Sequence, residues 1–162
     1  MLIRNILEES VRKFDEVKAV KWLKKKEIME RSYGELMENV VSTRKGLLAE
    51  GFEGKHIALI GTSSVEWMES YLGIITGCTT AVPLDAALPC EDLIDLLNRS
   101  DSVALFLSPK LKPYLDAFLE NCPKLQKVWM LQEEVEDAPA KVYGIGELRN
   151  AGKSASSDSV CP

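Results

Sequence analysis

The chain has 162 residues, 46% hydrophobic and 28% charged, with 20 basic against 25 acidic side chains and a formal net charge of −5. That is the composition of a globular domain able to bury its own core without disulfides or a metal. A single histidine excludes a His-rich metal site, the acidic balance argues against nucleic acid as a partner, and no apolar run reaches the length of a transmembrane segment.

Residues 1–55 hold 12 basic and 10 acidic side chains, net +2, whereas residues 56–162 are net −7. The opening segment spaces Ile3, Ile6, Leu7, Val11 and Phe14 along one helical face. Val17–Leu23 and Glu27–Arg31 then read as a short β-hairpin turning at Lys24-Lys25-Lys26, and a solvated turn is the expectation for the lysines. Ser32 and Glu35 have capping-box spacing, so a helix is expected from Tyr33. It carries Tyr33, Leu36, Met37, Val40, Leu47 and Leu48 inward and stops at Gly51.

Four short apolar runs follow: Ile57–Ile60, Thr79–Val82, Val103–Leu107 and Val128–Leu131. Each gap holds a helical pattern: Val65, Met68, Leu72 and Ile75; then Leu93, Leu96 and Leu97; then Leu111, Leu115, Phe118 and Leu119. Strands apolar on both faces and joined by amphipathic helices predict a doubly wound α/β fold, with a mostly parallel sheet, crossover helices, and the helix and hairpin preceding it. Residues 1–150 form this α/β subdomain. The small, polar stretch 151–162 reads as a linker toward a missing downstream region, so the chain is expected to be a piece of a longer protein. With no CxxC or zinc-finger spacing among Cys78, Cys90, Cys122 and Cys161, and no signal-peptide profile at the start, reduced thiols in a cytoplasmic protein are expected.

No complete catalytic constellation is present, and neither catalytic nor metal-ligating residues are assigned. Gly146…Gly152-Lys153-Ser154 resembles a phosphate loop, but has five residues between its glycines where four are needed, and follows a helical pattern. Thr62, Ser63 and Ser64 follow the first parallel strand at a helix start, where hydroxyls and free amides can meet an anion. Ser63 with Glu66 is instead read first as a second capping box. His56 is expected as a strand-edge imidazole, Trp67, Tyr71 and Tyr33 as core or interface aromatics, and Asp85 as the cap of the turn after the second parallel strand.

The order of these pieces carries more than any one of them. Ser32-Tyr33-Gly34-Glu35-Leu36 opens a helix; Lys55–Ile60 forms a strand; Ser64-Val65-Glu66-Trp67 opens the next helix; Gly77 precedes Ala81-Val82-Pro83-Leu84-Asp85. Over roughly residues 3–132 the chain resembles the N-terminal region of the AMP-forming acyl-CoA synthetases of the adenylate-forming superfamily. Glu66-Trp67 and Pro83-Leu84-Asp85 favour the long-chain fatty acyl branch. The resemblance implies ATP, Mg²⁺ and coenzyme A as cofactors of a full-length fatty acid–CoA ligase, and none in this chain. The family's Ser/Thr- and Gly-rich phosphate loop, its ribose-binding Asp and its catalytic Lys have no counterpart among these residues. Asp85-Ala86-Ala87-Leu88 also offers no basic residue for coenzyme A phosphates. The implied partner is the remainder of the same polypeptide, and the piece alone is expected to be inactive. It is also expected to self-associate through a face edged by Trp67, Tyr71 and Ile74. A free-standing interaction module and a flavodoxin-like phosphate or flavin binder built on Gly61–Ser64 stay open as alternatives.

Overall fold

The computed structural model describes residues 2–156. Helix α1 (Ile3–Phe14) forms where the apolar spacing places it, yet buries none of its residues: Ile3, Ile6 and Phe14 remain about half exposed. The antiparallel hairpin β1 (Lys18–Lys24) and β2 (Glu27–Ser32) follows, with Leu23 opposite Ile28 and Lys24 opposite Glu27. Helix α2 (Tyr33–Ala49) opens on the expected capping box. The Glu35 amide donates to Ser32 Oγ at 3.2 Å, and the Ser32 amide donates to Glu35 Oε2 at 2.7 Å. That amide holds the Glu35 carboxyl below the usual carboxylate range. At the other end Gly51 takes φ +80°. The Gly51 amide reaches the Leu48 carbonyl and the Phe52 amide the Leu47 carbonyl, a complete Schellman stop with Phe52 buried behind it.

The parallel sheet is built from β3 (His56–Ile60), β4 (Thr80–Leu84), β5 (Ala104–Leu107), β6 (Lys127–Met130) and β7 (Val142–Gly144), in the order β4-β3-β5-β6-β7. The fifth strand was not expected; three residues are too few for a periodicity. The edge position of β4 accommodates Pro83, whose missing N–H would interrupt a central strand.

Helices α4 (Cys90–Arg99) and α5 (Leu115–Asn121) cover one face, packing Leu93, Leu97, Leu115 and Phe118 on Ala58, Ile60, Leu105 and Leu107. On the other face α2, α3 (Val65–Ile75) and α6 (Ile145–Ser154) set Leu47, Ile74, Ile145 and Leu148 against Ile57, Leu59, Phe106 and Trp129. Residue 151, the expected start of a linker, falls inside α6, and residues 157–162 of that stretch lie outside the described residues. Gly152 is buried against α2: a Cβ there would lie 1.9 Å from the Ser42 carbonyl oxygen, so this contact requires glycine. The Gly146–Ser154 segment is therefore a packed helix and not a phosphate loop.

The inward face of α3 differs from the apolar spacing. Val65, Glu69, Ser70, Gly73 and Ile74 are buried, while Met68, Leu72 and Ile75 are only partly covered. The cause is an ionic cluster. Glu69 is wholly buried; its Oε1 accepts from Arg31 Nη1 at 2.5 Å and from Asn39 Nδ2 at 3.1 Å, and its Oε2 accepts from Arg149 Nη2 at 2.9 Å. Arg149 also donates from Nε to Thr43 Oγ1 at 3.3 Å and lies 3.6 Å from Glu133. One carboxylate thus ties β2, α2, α3 and α6 together.

Trp67 and Tyr71 stack on each other, half-buried, with ring centroids 5.4 Å apart, and Ile74 is fully buried. The expected apolar face edged by these three is therefore not exposed. The large exposed apolar side chains among the described residues lie on α1 and the hairpin.

Glu69→Gln leaves Arg149 buried beside a neutral amide. It should lower unfolding free energy by about 3–5 kcal/mol, the range for breaking a buried ion pair, read from urea denaturation; a loss under about 1 kcal/mol would mean that the cluster is not stabilising. The N-cap of α3 is Ser64, whose Oγ accepts from the Trp67 amide at 3.1 Å, and not Ser63, because the helix begins one residue later than the Ser63–Glu66 spacing implies. Ser64→Ala should therefore lower stability by about 0.5–2 kcal/mol, while Ser63→Ala leaves the urea midpoint nearly unchanged.

Candidate functional site

In an open parallel sheet, ligands gather beyond the carboxyl ends of the strands, where successive connections leave in opposite directions. Here that switch lies at β3: the chain passes to β4 on one side and then returns across to β5 on the other. Gly61 leaves β3 tightly packed, since a Cβ on it would lie 2.9 Å from the Ser108 Cβ and 3.1 Å from Trp67 Cδ1. Gly61, Thr62 and Ser63 then line an open cleft of about 470 Å³ with Leu84, Asp85, Ala86 and Ala87 from the end of β4.

The structure brings Thr62, Ser63 and Asp85 to one cleft. Thr62 and Ser63 are exposed, whereas Ser64 spends its hydroxyl on the cap of α3. Asp85 Oδ1 accepts from the Ala87 amide at 2.9 Å, the expected turn cap. The lining holds one carboxylate and no cation, which does not fit a triphosphate with its metal: nothing in it would offset phosphate charge. Among the described residues no group of three or more His, Cys, Asp or Glu is placed to hold a metal ion.

His56 sits at the opposite, amino end of β3, with Nδ1 2.7 Å from the Ser100 carbonyl oxygen, so this nitrogen carries the proton as donor. It lines a second open cleft of about 490 Å³ with Lys55, Asp101 and Lys124. The hydrogen bond and charge of Lys124 hold the Asp101 carboxyl below its ordinary range. His56 and Asp101 are thus a strand-edge imidazole and a surface ion-pair partner, far along the strand from Thr62 and Ser63.

Cys90 and Cys122 are free thiols. Burial pushes the Cys122 thiol up to about 11 and raises that of Cys90, so both stay protonated near neutrality and neither is poised as a nucleophile. Sequence reasoning missed Glu69 and Arg149. The one available sign was that Glu69 stands four residues after Val65, on the same side of α3.

The strand order is the one flavodoxin-like sheets share, so topology alone does not separate the readings. Comparison with known proteins does. A family profile described as AMP-binding enzyme matches residues 7–160. No curated protein sequence matches the chain. Among solved structures, coronafacic acid ligase from Pectobacterium brasiliense superposes with a TM-score of 0.86 at 20% identity, over 99% of this chain and 32% of its own. The anthranilate CoA ligase AuaEII, in complex with anthranoyl-AMP, gives 0.77 at 15% identity, over 97% and 28%. The A-PCP didomain of carboxylic acid reductase from Segniliparus rugosus, in complex with AMP, gives 0.71 at 15% identity, over 84% and 22%. The chain spans about a third or less of each of these structures, all of which share its fold. With nearly its whole length matched by one family profile, the chain belongs to the AMP-binding enzyme family.

Proposed function

We propose that the chain is the N-terminal subdomain of an AMP-forming carboxylate–CoA ligase, acting on fatty acids in the cytoplasm and inactive by itself. One observation supports the subdomain part of this reading: a family match over residues 7–160 joined to a fold that occupies 32% of an acid ligase while using 99% of this chain. The family uses ATP, Mg²⁺ and coenzyme A. The cleft at the ends of β3 and β4 supplies a wall for such a site and lacks the positive groups that would stabilise charge on a transferring phosphate. Those groups are assigned to the parts of such ligases that this chain does not span. The fatty acyl preference rests on the Glu66-Trp67 and Pro83-Leu84-Asp85 versions of the family's motifs.

The purified chain should neither bind ATP·Mg²⁺ with a low-micromolar dissociation constant in calorimetric titration nor release pyrophosphate when a fatty acid is added. Either activity would show that the chain carries a site of its own and would overturn the reading as a supporting subdomain.

The piece also self-associates in this reading. Leu2 at the N-cap and Ile3, Ile6 and Phe14 on α1 stay about half exposed among the described residues, and exposed apolar patches tend to find a partner. Size-exclusion chromatography with light scattering, repeated over a wide concentration range, should show mass rising with concentration. A strict monomer throughout would instead favour an independent module.

A further inference from the structure

The hairpin tip combines three features that play no part in the cleft at the ends of β3 and β4. Leu23 and Ile28 face each other across the strands at 71% and 72% exposure, the two most exposed large apolar side chains among the described residues. The two-residue turn between Lys24 and Glu27 is Lys25-Lys26, and both lysines take left-handed backbone, with φ 48° and 70°. A tight hairpin of this hand ordinarily places Asn-Gly there, because side chains larger than these strain the left-handed region. Residues 18–31 carry six basic side chains against two acidic ones, in a chain whose net charge is −5. On the face that bears Leu23 and Ile28, the next pair toward the base is Lys21 with Glu30, joined at 2.9 Å. The aliphatic pair is thus a band between an ion pair that neutralises itself and a tip whose three lysines outnumber the one carboxylate, Glu27, opposite Lys24.

We infer that this tip docks on anionic lipid, with Leu23 and Ile28 entering the acyl boundary and Lys24, Lys25 and Lys26 meeting headgroup phosphates. Long lysine stems let the ammonium groups stay at headgroup level while the aliphatic pair goes deeper. Charge selects the surface: a cluster of lysines beside apolar side chains is attracted by an anionic leaflet and gains little from a neutral one. Nucleic acid is the poorer match, since the exposed side chains are aliphatic, and the nearby Trp22 ring is already covered by the Arg31 guanidinium, 5.5 Å from its centroid. No helix among the described residues is long and apolar enough to cross a membrane.

Sedimentation with vesicles tests this on the full chain. Binding is expected to vesicles of phosphatidylcholine mixed with phosphatidylserine, to weaken with added salt, and to be weak or absent with phosphatidylcholine alone. The double substitution Lys25→Asn with Lys26→Gly relieves the left-handed strain while removing two charges. It should hold or raise thermal stability and lower the affinity for anionic vesicles about thirtyfold, at about fivefold per lysine. Leu23→Thr with Ile28→Thr keeps charge and strand propensity and should weaken binding at least about tenfold through lost apolar burial. Equal binding to both vesicle types, no binding, or binding that neither double variant weakens would overturn the inference. So would a dimer that Leu23→Thr with Ile28→Thr dissociates while vesicles stay unbound, because the occupant would then be a second copy. None of these outcomes bears on family membership or on the inactivity of the piece toward ATP.

Discussion

The carboxylate of Glu69 is the point on which the architecture turns. A buried charge without partners is among the most destabilising features a core can hold, so its surroundings must supply donors in fixed places. Arg31, Asn39 and Arg149 do so from three different elements, and α3 is turned so that Glu69 faces them while Met68 and Leu72 give up part of their burial. Once α3 is so placed, its neighbour α2 lies sandwiched between α3 and α6, and small residues become necessary at the crossings. Gly73 meets Thr43 on one side, and Gly152 meets the Ser42 carbonyl on the other. The same arginines have second tasks: Arg31 covers Trp22 in the hairpin, and Arg149 reaches Glu133 after β6. The cluster therefore connects the N-terminal hairpin to the last helix, elements over 100 residues apart in the chain.

With both faces of the sheet covered by helices, the two ends of the strands hold the open clefts at its rim. They are chemically unlike. The amino end holds His56, Lys55, Asp101 and Lys124, with the charges largely paired among themselves. At the carboxyl end, the cleft between β3 and β4 holds small and hydroxylated residues with a single carboxylate, and the start of α3 beside it is already capped by Ser64. A wall of that kind shapes a site without supplying its charge.

The hairpin and α1 stand apart from this closed sandwich. A two-stranded sheet is marginal alone, and here it is held at its base by the Ser32–Glu35 capping box and by Arg31. Its tip is left to solvent with aliphatic and cationic side chains together, an arrangement that stability of the isolated domain does not call for. Strain at Lys25 and Lys26 points the same way, because a less strained turn was open to the sequence at no structural loss.

Much of the fold was legible in the residues because it is governed by local rules. The capping box at Ser32, the stop at Gly51, the hairpin around the lysines and four of the five parallel strands all depend on periodicity or turn chemistry within a few residues. The family resemblance was legible for the same reason, since its motifs mark strand ends and helix starts in order. The rest needed tertiary structure. A three-residue β7 has no period to read, and the cap of α3 moved from Ser63 to Ser64 because helix entry is set by how the chain leaves β3. The extent of α6 past residue 151 follows from Gly152 docking on α2, while its small, polar composition reads as linker. Glu69 looks like an ordinary surface acid until Arg31, 38 residues before it, and Arg149, 80 residues after it, arrive in space. Partners so distant leave no trace in a local pattern, and only the packed chain decides which charges are buried.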